Sequence, residues 1–135
     1  MQEAWEKVCR IYSEKGFAKK DKDLPEDHLG LELEFMANLI AEERAARGKG
    51  DAAAAEKTSG EQKKSLAEHL SPWVPAFCAD VRKCPGTDFY KAASLITEGF
   101  LQLEGELLGS GEEQASALKG KKERQAAAVP AAPGF

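Results

Sequence analysis

The residues of this chain best suited to chemistry are an acid–imidazole pair, Asp27-His28. It lies in the run Leu24-Pro25-Glu26-Asp27-His28-Leu29-Gly30-Leu31-Glu32-Leu33-Glu34-Phe35-Met36. A carboxylate accepts paired hydrogen bonds from a guanidinium, and an imidazole changes charge near neutrality. Pro25 presets φ for a first helical turn and has no N–H to leave unsatisfied, so the run predicts a helix opening there. Glu26 and Asp27 then fall where the positive end of the helix dipole favours carboxylates. Stability alone would account for acids at a helix start. His28, a titratable group beside them, is what asks for a function.

The other reactive residues do not assemble into a familiar centre. A metal-dependent hydrolase needs several histidine and acid ligands, and the chain has two histidines. Cys78, Cys84 and His69 lack the spacing of a zinc site, and three cysteines in all form no disulfide pattern. Nothing in the sequence activates one thiol as a nucleophile. A helix N-terminus suits anions, but Glu26 and Asp27 would repel a phosphate and no glycine-rich loop with lysine is present. The expectation is a protein that is not an enzyme, with no cofactor and no metal.

The 135 residues allow one domain, and the net charge of −4 argues against a general nucleic-acid binder. No run of eighteen apolar residues exists and the N-terminus has no apolar signal core, so neither membrane insertion nor secretion is expected. The odd cysteine count fits a reducing cytoplasm. Residues 109–135 combine Gly-Ser-Gly, the basic run Lys119–Arg124 and Ala/Pro-rich sequence, which reads as a disordered tail. Residues 48–60 (Gly-Lys-Gly-Asp, four alanines, Thr-Ser-Gly) read as a loop inside a helical domain of residues 1–108.

The elements that must position Asp27 and His28 are helical almost throughout. Trp5, Val8, Cys9 and Tyr12 share one face of a first helix that stops near Gly16. Leu29, Leu33, Met36 and Ile40 form a stripe on the second, widened by Phe35 and Leu39. Ser59 and Gln62 resemble a capping box for a third helix, interrupted at Pro72. Trp73, Val74, Phe77, Cys78 and Val81 make the next face. Thr87 is placed to cap a last helix bearing Phe89, Ala92, Ala93, Ile96, Phe100, Leu103 and Leu107. No segment alternates with period two. The fold predicted is all-α, a small bundle of about five helices. So many large apolar groups on so short a chain predict association, as a homodimer or by exchange of helices.

Taken together, these segments resemble the TorD/DmsD/NarJ family of redox-enzyme maturation chaperones. The Pro25-x-Asp27-His28 block, followed by Glu32-Leu33-Glu34-Phe35-Met36, is similar to the family's Glu-Pro-x-Asp-His run, with Leu24 in place of the leading Glu. His69-Leu70-Ser71-Pro72-Trp73-Val74-Pro75-Ala76-Phe77-Cys78 is similar to its second block. Phe89-Tyr90, Ala93, Leu95 and Phe100-Leu101 are similar to its third. On this resemblance the chain is expected to correspond to the C-terminal half of such a protein. The resemblance implies a cytoplasmic chaperone that binds the twin-arginine signal peptide of a molybdenum-cofactor oxidoreductase precursor before export. It places Pro25, Glu26, Asp27, His28, Glu32 and Trp73 in peptide binding, with carboxylates for the arginines and Leu29, Phe35 and Trp73 for the apolar stretch behind them. The alternative is a non-catalytic helical dimerisation or interaction domain that binds no client.

Overall fold

The computed structural model describes residues 2–86 and 88–127. It is all-α, as expected, with five α-helices and one π-helical turn among the described residues. Helix α1 is Gln2–Lys15, α2 Leu29–Gly48, α3 Ala52–Ser65, α4 Val74–Lys83 and α5 Asp88–Ala127, with the π-helical turn at Leu66–Leu70 between α3 and α4. Thr87, the expected cap of the last helix, lies outside the described residues, as do 128–135 of the predicted tail.

Helices α2 and α3 form a tight hairpin, and two residues explain it. Gly50 takes φ +73, which lets the Gly50 N–H reach the Arg47 carbonyl and the Asp51 N–H return to Ala46 at 3.0 Å. Asp51 then opens α3, its carboxylate accepting from the Ala54 N–H at 3.0 Å. One aspartate thus closes the first helix and caps the next. The loop expected at 48–60 is accordingly corrected: only Lys49–Asp51 turn, and the alanines begin α3. Alanine has the highest helix propensity, and burial of Ala55, Thr58, Gln62 and Ser65 stabilises the helix further.

The core draws Val8 and Tyr12 from α1, Phe35, Met36 and Leu39 from α2, Leu66 and Leu70 from the π-helical turn, Val74 and Cys78 from α4, and Leu101 from α5. On α2 the buried stripe is Leu31, Glu32, Phe35, Met36 and Leu39, rotated from the expected one; Leu29, Leu33 and Ile40 are half-buried. Apolar residues almost surround this helix, so periodicity alone could not choose its inner face. Helix α1 is fastened by aromatics: the Tyr12 ring lies 4.8 Å from Phe17 and 5.0 Å from Phe35 between centroids. Lys15 adds a clasp, 2.9 Å from Glu42 on α2 and 2.6 Å from Glu61 on α3. Glu43 is engaged as well: Gln62 donates to it at 2.6 Å. Helix α5 joins α4 through Arg82 and Glu98 at 2.6 Å.

Candidate functional site

The sequence run that opens with Pro25 folds as a turn, and the helix starts later than expected. The His28 N–H donates to the Pro25 carbonyl at 3.0 Å, and α2 begins at Leu29 with His28 as its N-cap. Pro25, Glu26 and Asp27 therefore precede the helix rather than filling its first turn, where Glu32 is the acidic residue. The imidazole Nδ1 of His28 accepts from the Gly30 N–H at 3.1 Å, satisfying one of the helix's orphan donors. A Cβ on residue 30 would stand 3.2 Å from that nitrogen, closer than side chains usually approach, so glycine there leaves room for the ring. With Nδ1 accepting, a neutral His28 carries its proton on Nε2, away from the helix end.

Glu26 is occupied by its own fold. Its Oε1 lies 2.9 Å from the Lys19 ammonium, and its Oε2 accepts from the Trp5 indole N–H at 2.7 Å. Lys19, and after it Trp5, hold this carboxyl below the usual glutamate range. Lys19 also donates to the Leu24 carbonyl at 2.6 Å, so Glu26 ties α1 and the following loop to the turn. Asp27, by contrast, is exposed beside exposed His28, and no hydrogen bond engages its side chain among the described residues. An acceptor and a donor thus stand next to each other on a turn that Pro25 and the cap make rigid.

Glu32 faces the opposite way. It is 5% exposed, and burial, reinforced by the charge of Asp27, pushes its carboxyl up to about 7. The Trp73 indole, near enough to oppose that rise, donates its hydrogen to the His69 carbonyl at 2.7 Å instead. Glu32 Oε2 is left without a partner, as are Tyr12 Oη and His69 Nε2. Trp73 is half-buried with its ring edge-on to Phe77 at 5.7 Å, so it is more a wall of the core than an open shelf. Of the six expected residues, Pro25, Glu26, Asp27 and His28 come together on the turn. Glu32 and Trp73 meet each other on the inner side. Sequence reasoning missed Tyr12, His69, Lys19 and Trp5 as neighbours. The signal for Glu32 was its position on the apolar stripe three and four residues before Phe35 and Met36.

The remaining titratable groups offer no competing centre. Among the described residues, no three histidine, cysteine or acidic side chains converge to hold a metal, and no helix is long and apolar enough to cross a membrane. Burial, ahead of nearby acids, pushes the thiols of Cys9 and Cys78 up, away from reactive thiolate.

Comparison with known proteins places this architecture. Residues 1–79 match the family described as nitrate reductase delta subunit. A protein named chaperone protein TorD from Aeromonas salmonicida is 38% identical over 84 residues, 62% of this chain and 38% of the relative. One of the same name from Photobacterium profundum is 32% identical over 99 residues, 73% of this chain and 44% of the relative. A third, from Vibrio cholerae, is 28% identical over 78 residues, 58% of this chain and 34% of the relative. The chain thus spans less than half the length of these relatives. No solved structure matches it. With more than half its length matched, the chain belongs to the nitrate reductase delta subunit family, the TorD/DmsD/NarJ group of redox-enzyme maturation chaperones that its three motif blocks resemble.

Proposed function

We propose that this chain acts in the cytoplasm as a maturation chaperone for a molybdenum-cofactor oxidoreductase, holding the twin-arginine signal peptide of the precursor before export. Family membership supports the chaperone role. The observation that carries the peptide reading is the pair on the turn. Asp27 presents an unengaged carboxylate, and His28 presents an Nε2–H beside it, because its other nitrogen caps α2. A guanidinium donates to the carboxylate, and a peptide carbonyl accepts from the imidazole. The peptide binds without being transformed, so no catalytic residue is required. The net charge of −4 favours encounter with a cationic segment, an effect that weakens with salt.

Titration calorimetry with a twin-arginine peptide tests this. Asp27→Asn keeps hydrogen-bond acceptance but removes the charge, and should weaken binding by about 1.5–3 kcal/mol with the thermal melt nearly unchanged. Equal affinity for a peptide with both arginines replaced by alanine would end the carboxylate-based reading.

A second observation favours self-association as part of the same function, or as the whole function should no client bind. On α5, Phe89, Ile96, Leu103 and Leu107 are exposed. Phe89, Ile96 and Leu103 recur every seven residues, and so do Ala93, Phe100 and Leu107. This is the a/d spacing of a helix that packs lengthwise on another helix. A homodimer pairing α5 with α5 would cover the stripe.

A further inference from the structure

Trp5, on the first turn of α1, reaches across to the turn that precedes α2. Its indole N–H donates to Glu26 Oε2 at 2.7 Å, while Lys19 holds the other oxygen of that carboxylate, Oε1, at 2.9 Å. Lys19 in turn donates to the Leu24 carbonyl at 2.6 Å. Yet Trp5 is 41% exposed. An exposed side chain ordinarily keeps its rotamer freedom, and this one is tied down through a chain of polar contacts. The entropy that a partner must remove on binding is therefore already lost on folding.

The same contacts decide what kind of partner the ring suits. An indole N–H lies in the plane of its ring, so Glu26 meets the edge of Trp5 and covers neither face. Negative charge thus stands at the rim of a surface whose faces are themselves electron-rich. Asp27 follows Glu26 in the chain and is exposed, with its carboxylate unengaged. Both acids, after burial itself, raise the Cys9 thiol one helical turn along α1 from Trp5, so the Trp5–Cys9 face of α1 borders them. Lys19, the cation at this corner, is committed to Glu26 and Leu24. An anion is repelled here and a purely apolar group is mismatched at the rim. A flat cation suits both the face and the acids.

We propose that Trp5 is the stacking platform of the candidate site: the guanidinium of an arginine lies flat on the exposed indole with its N–H groups turned toward Asp27. Guanidinium is planar and weakly hydrated, stacks on aromatic faces and donates within its own plane. Tryptophan is the strongest aromatic partner for such a cation. The inference rests on the peptide-binding reading for the source of the arginine. It adds the residue that distinguishes arginine from lysine, since an ammonium keeps the attraction to Asp27 and lacks the stacked plane.

Two readouts on the intact chain separate the platform from its client. Methylguanidinium chloride is titrated against the indole N–H resonances of the two tryptophans. A saturable shift is expected at Trp5, with Trp73, whose N–H is donated to the His69 carbonyl, unmoved. Urea, equally planar but uncharged, should shift neither. A twin-arginine peptide is then titrated into Trp5→Phe, which keeps a ring and loses the N–H, and Trp5→Leu, which loses both. Trp5→Leu should weaken binding by roughly threefold to fivefold and Trp5→Phe by less than about twofold. The loss in Trp5→Leu should be smaller for a twin-lysine peptide. Melts check that both variants fold, and the methylguanidinium arm decides the matter without them.

No saturable shift, or a shift equalled at Trp73 or by urea, would overturn the platform. So would equal losses in Trp5→Phe and Trp5→Leu, because Trp5 would then act only by holding Glu26, and so would equal losses for the two peptides. Methylguanidinium binding at Trp5 without peptide binding keeps the platform and removes the client reading. Peptide binding that leaves the Trp5 indole unmoved removes the platform alone.

Discussion

The pocket between α1, α2 and the π-helical turn holds polar atoms of Tyr12, Glu32 and His69 away from water, whereas the outer face of α5 holds Phe89, Ile96, Leu103 and Leu107 in it. Each region inverts what stability alone would choose. Unpaired buried polar atoms and a contiguous exposed apolar stripe both cost free energy relative to a chain optimised only to fold. The cost differs in kind. In the pocket it is electrostatic, concentrated on one carboxyl and dependent on pH. On α5 it is hydrophobic, spread over several turns of helix and almost independent of pH. Sites that await a partner are where such violations are expected, and the exposed stripe on α5 has the chemistry of a surface that packs on another apolar helix.

The largest contrast should come from one substitution made in both places. Phe35, 4% exposed, underlies the pocket and touches Tyr12 and Phe17, whereas Phe89 is 76% exposed. Phe35→Ala should cost about 3–5 kcal/mol by chemical denaturation, and Phe89→Ala less than about 0.5 kcal/mol in the monomer. Similar losses at the two sites would erase the distinction.

Next in size is the effect of Ile96→Glu with Leu103→Glu. Sedimentation equilibrium should show self-association weakened by roughly a hundredfold, about 3 kcal/mol, while the monomer melt barely moves. A wild-type chain that stays monomeric at high concentration would leave the stripe to a different helix.

Glu32 sharpens the electrostatic side. Its folded pKa is raised to about 7, so the native state binds more protons than the unfolded chain between about pH 4.5 and 7. Its contribution to stability therefore falls as pH rises through that window and is lowest above it. Glu32→Gln should flatten this dependence and, at pH 8, raise stability by up to about 2–3 kcal/mol. Melts of both proteins from pH 4.5 to 8 give the comparison, and a wild-type curve that rises with pH through the window would contradict the assignment.

The smallest effect belongs to the outer turn. Gly30→Ala crowds the His28 ring and should disturb its cap, at a cost of about 0.5–1 kcal/mol. The His28 ring shifts in an NMR titration should change with it.

The all-α architecture was legible because apolar residues recur at helical spacing and turn residues interrupt them. The cluster from Pro25 to His28 was legible because local chain chemistry builds it. The start of α2 was misplaced, since Pro25 serves a turn as readily as a first helical residue and the His28 cap at Leu29 prevailed. The third helix was placed to open at Ser59, and its start at Ala52 was missed because glycines at 48, 50 and 60 suggest a loop, while the packing of α3 on α2 is tertiary. On α5 the sequence displayed a rich apolar face without saying that Ser94 and Leu101 would turn inward in its place.

By itself the sequence determined that the chain is helical almost throughout, that the first helix stops near Gly16, and that an acid and an imidazole stand together before α2. These depend on neighbours within a few residues, through capping, propensity and period. Only the tertiary structure decided that Glu26 is clamped by Lys19 and Trp5, that Asp27 stays open, and that Glu32 is buried and poised near neutrality. The physical reason is distance along the chain. Tyr12 lies twenty residues before Glu32 and His69 thirty-seven after it. The desolvation that shifts a carboxyl comes from whatever packing brings against it, which no local pattern encodes.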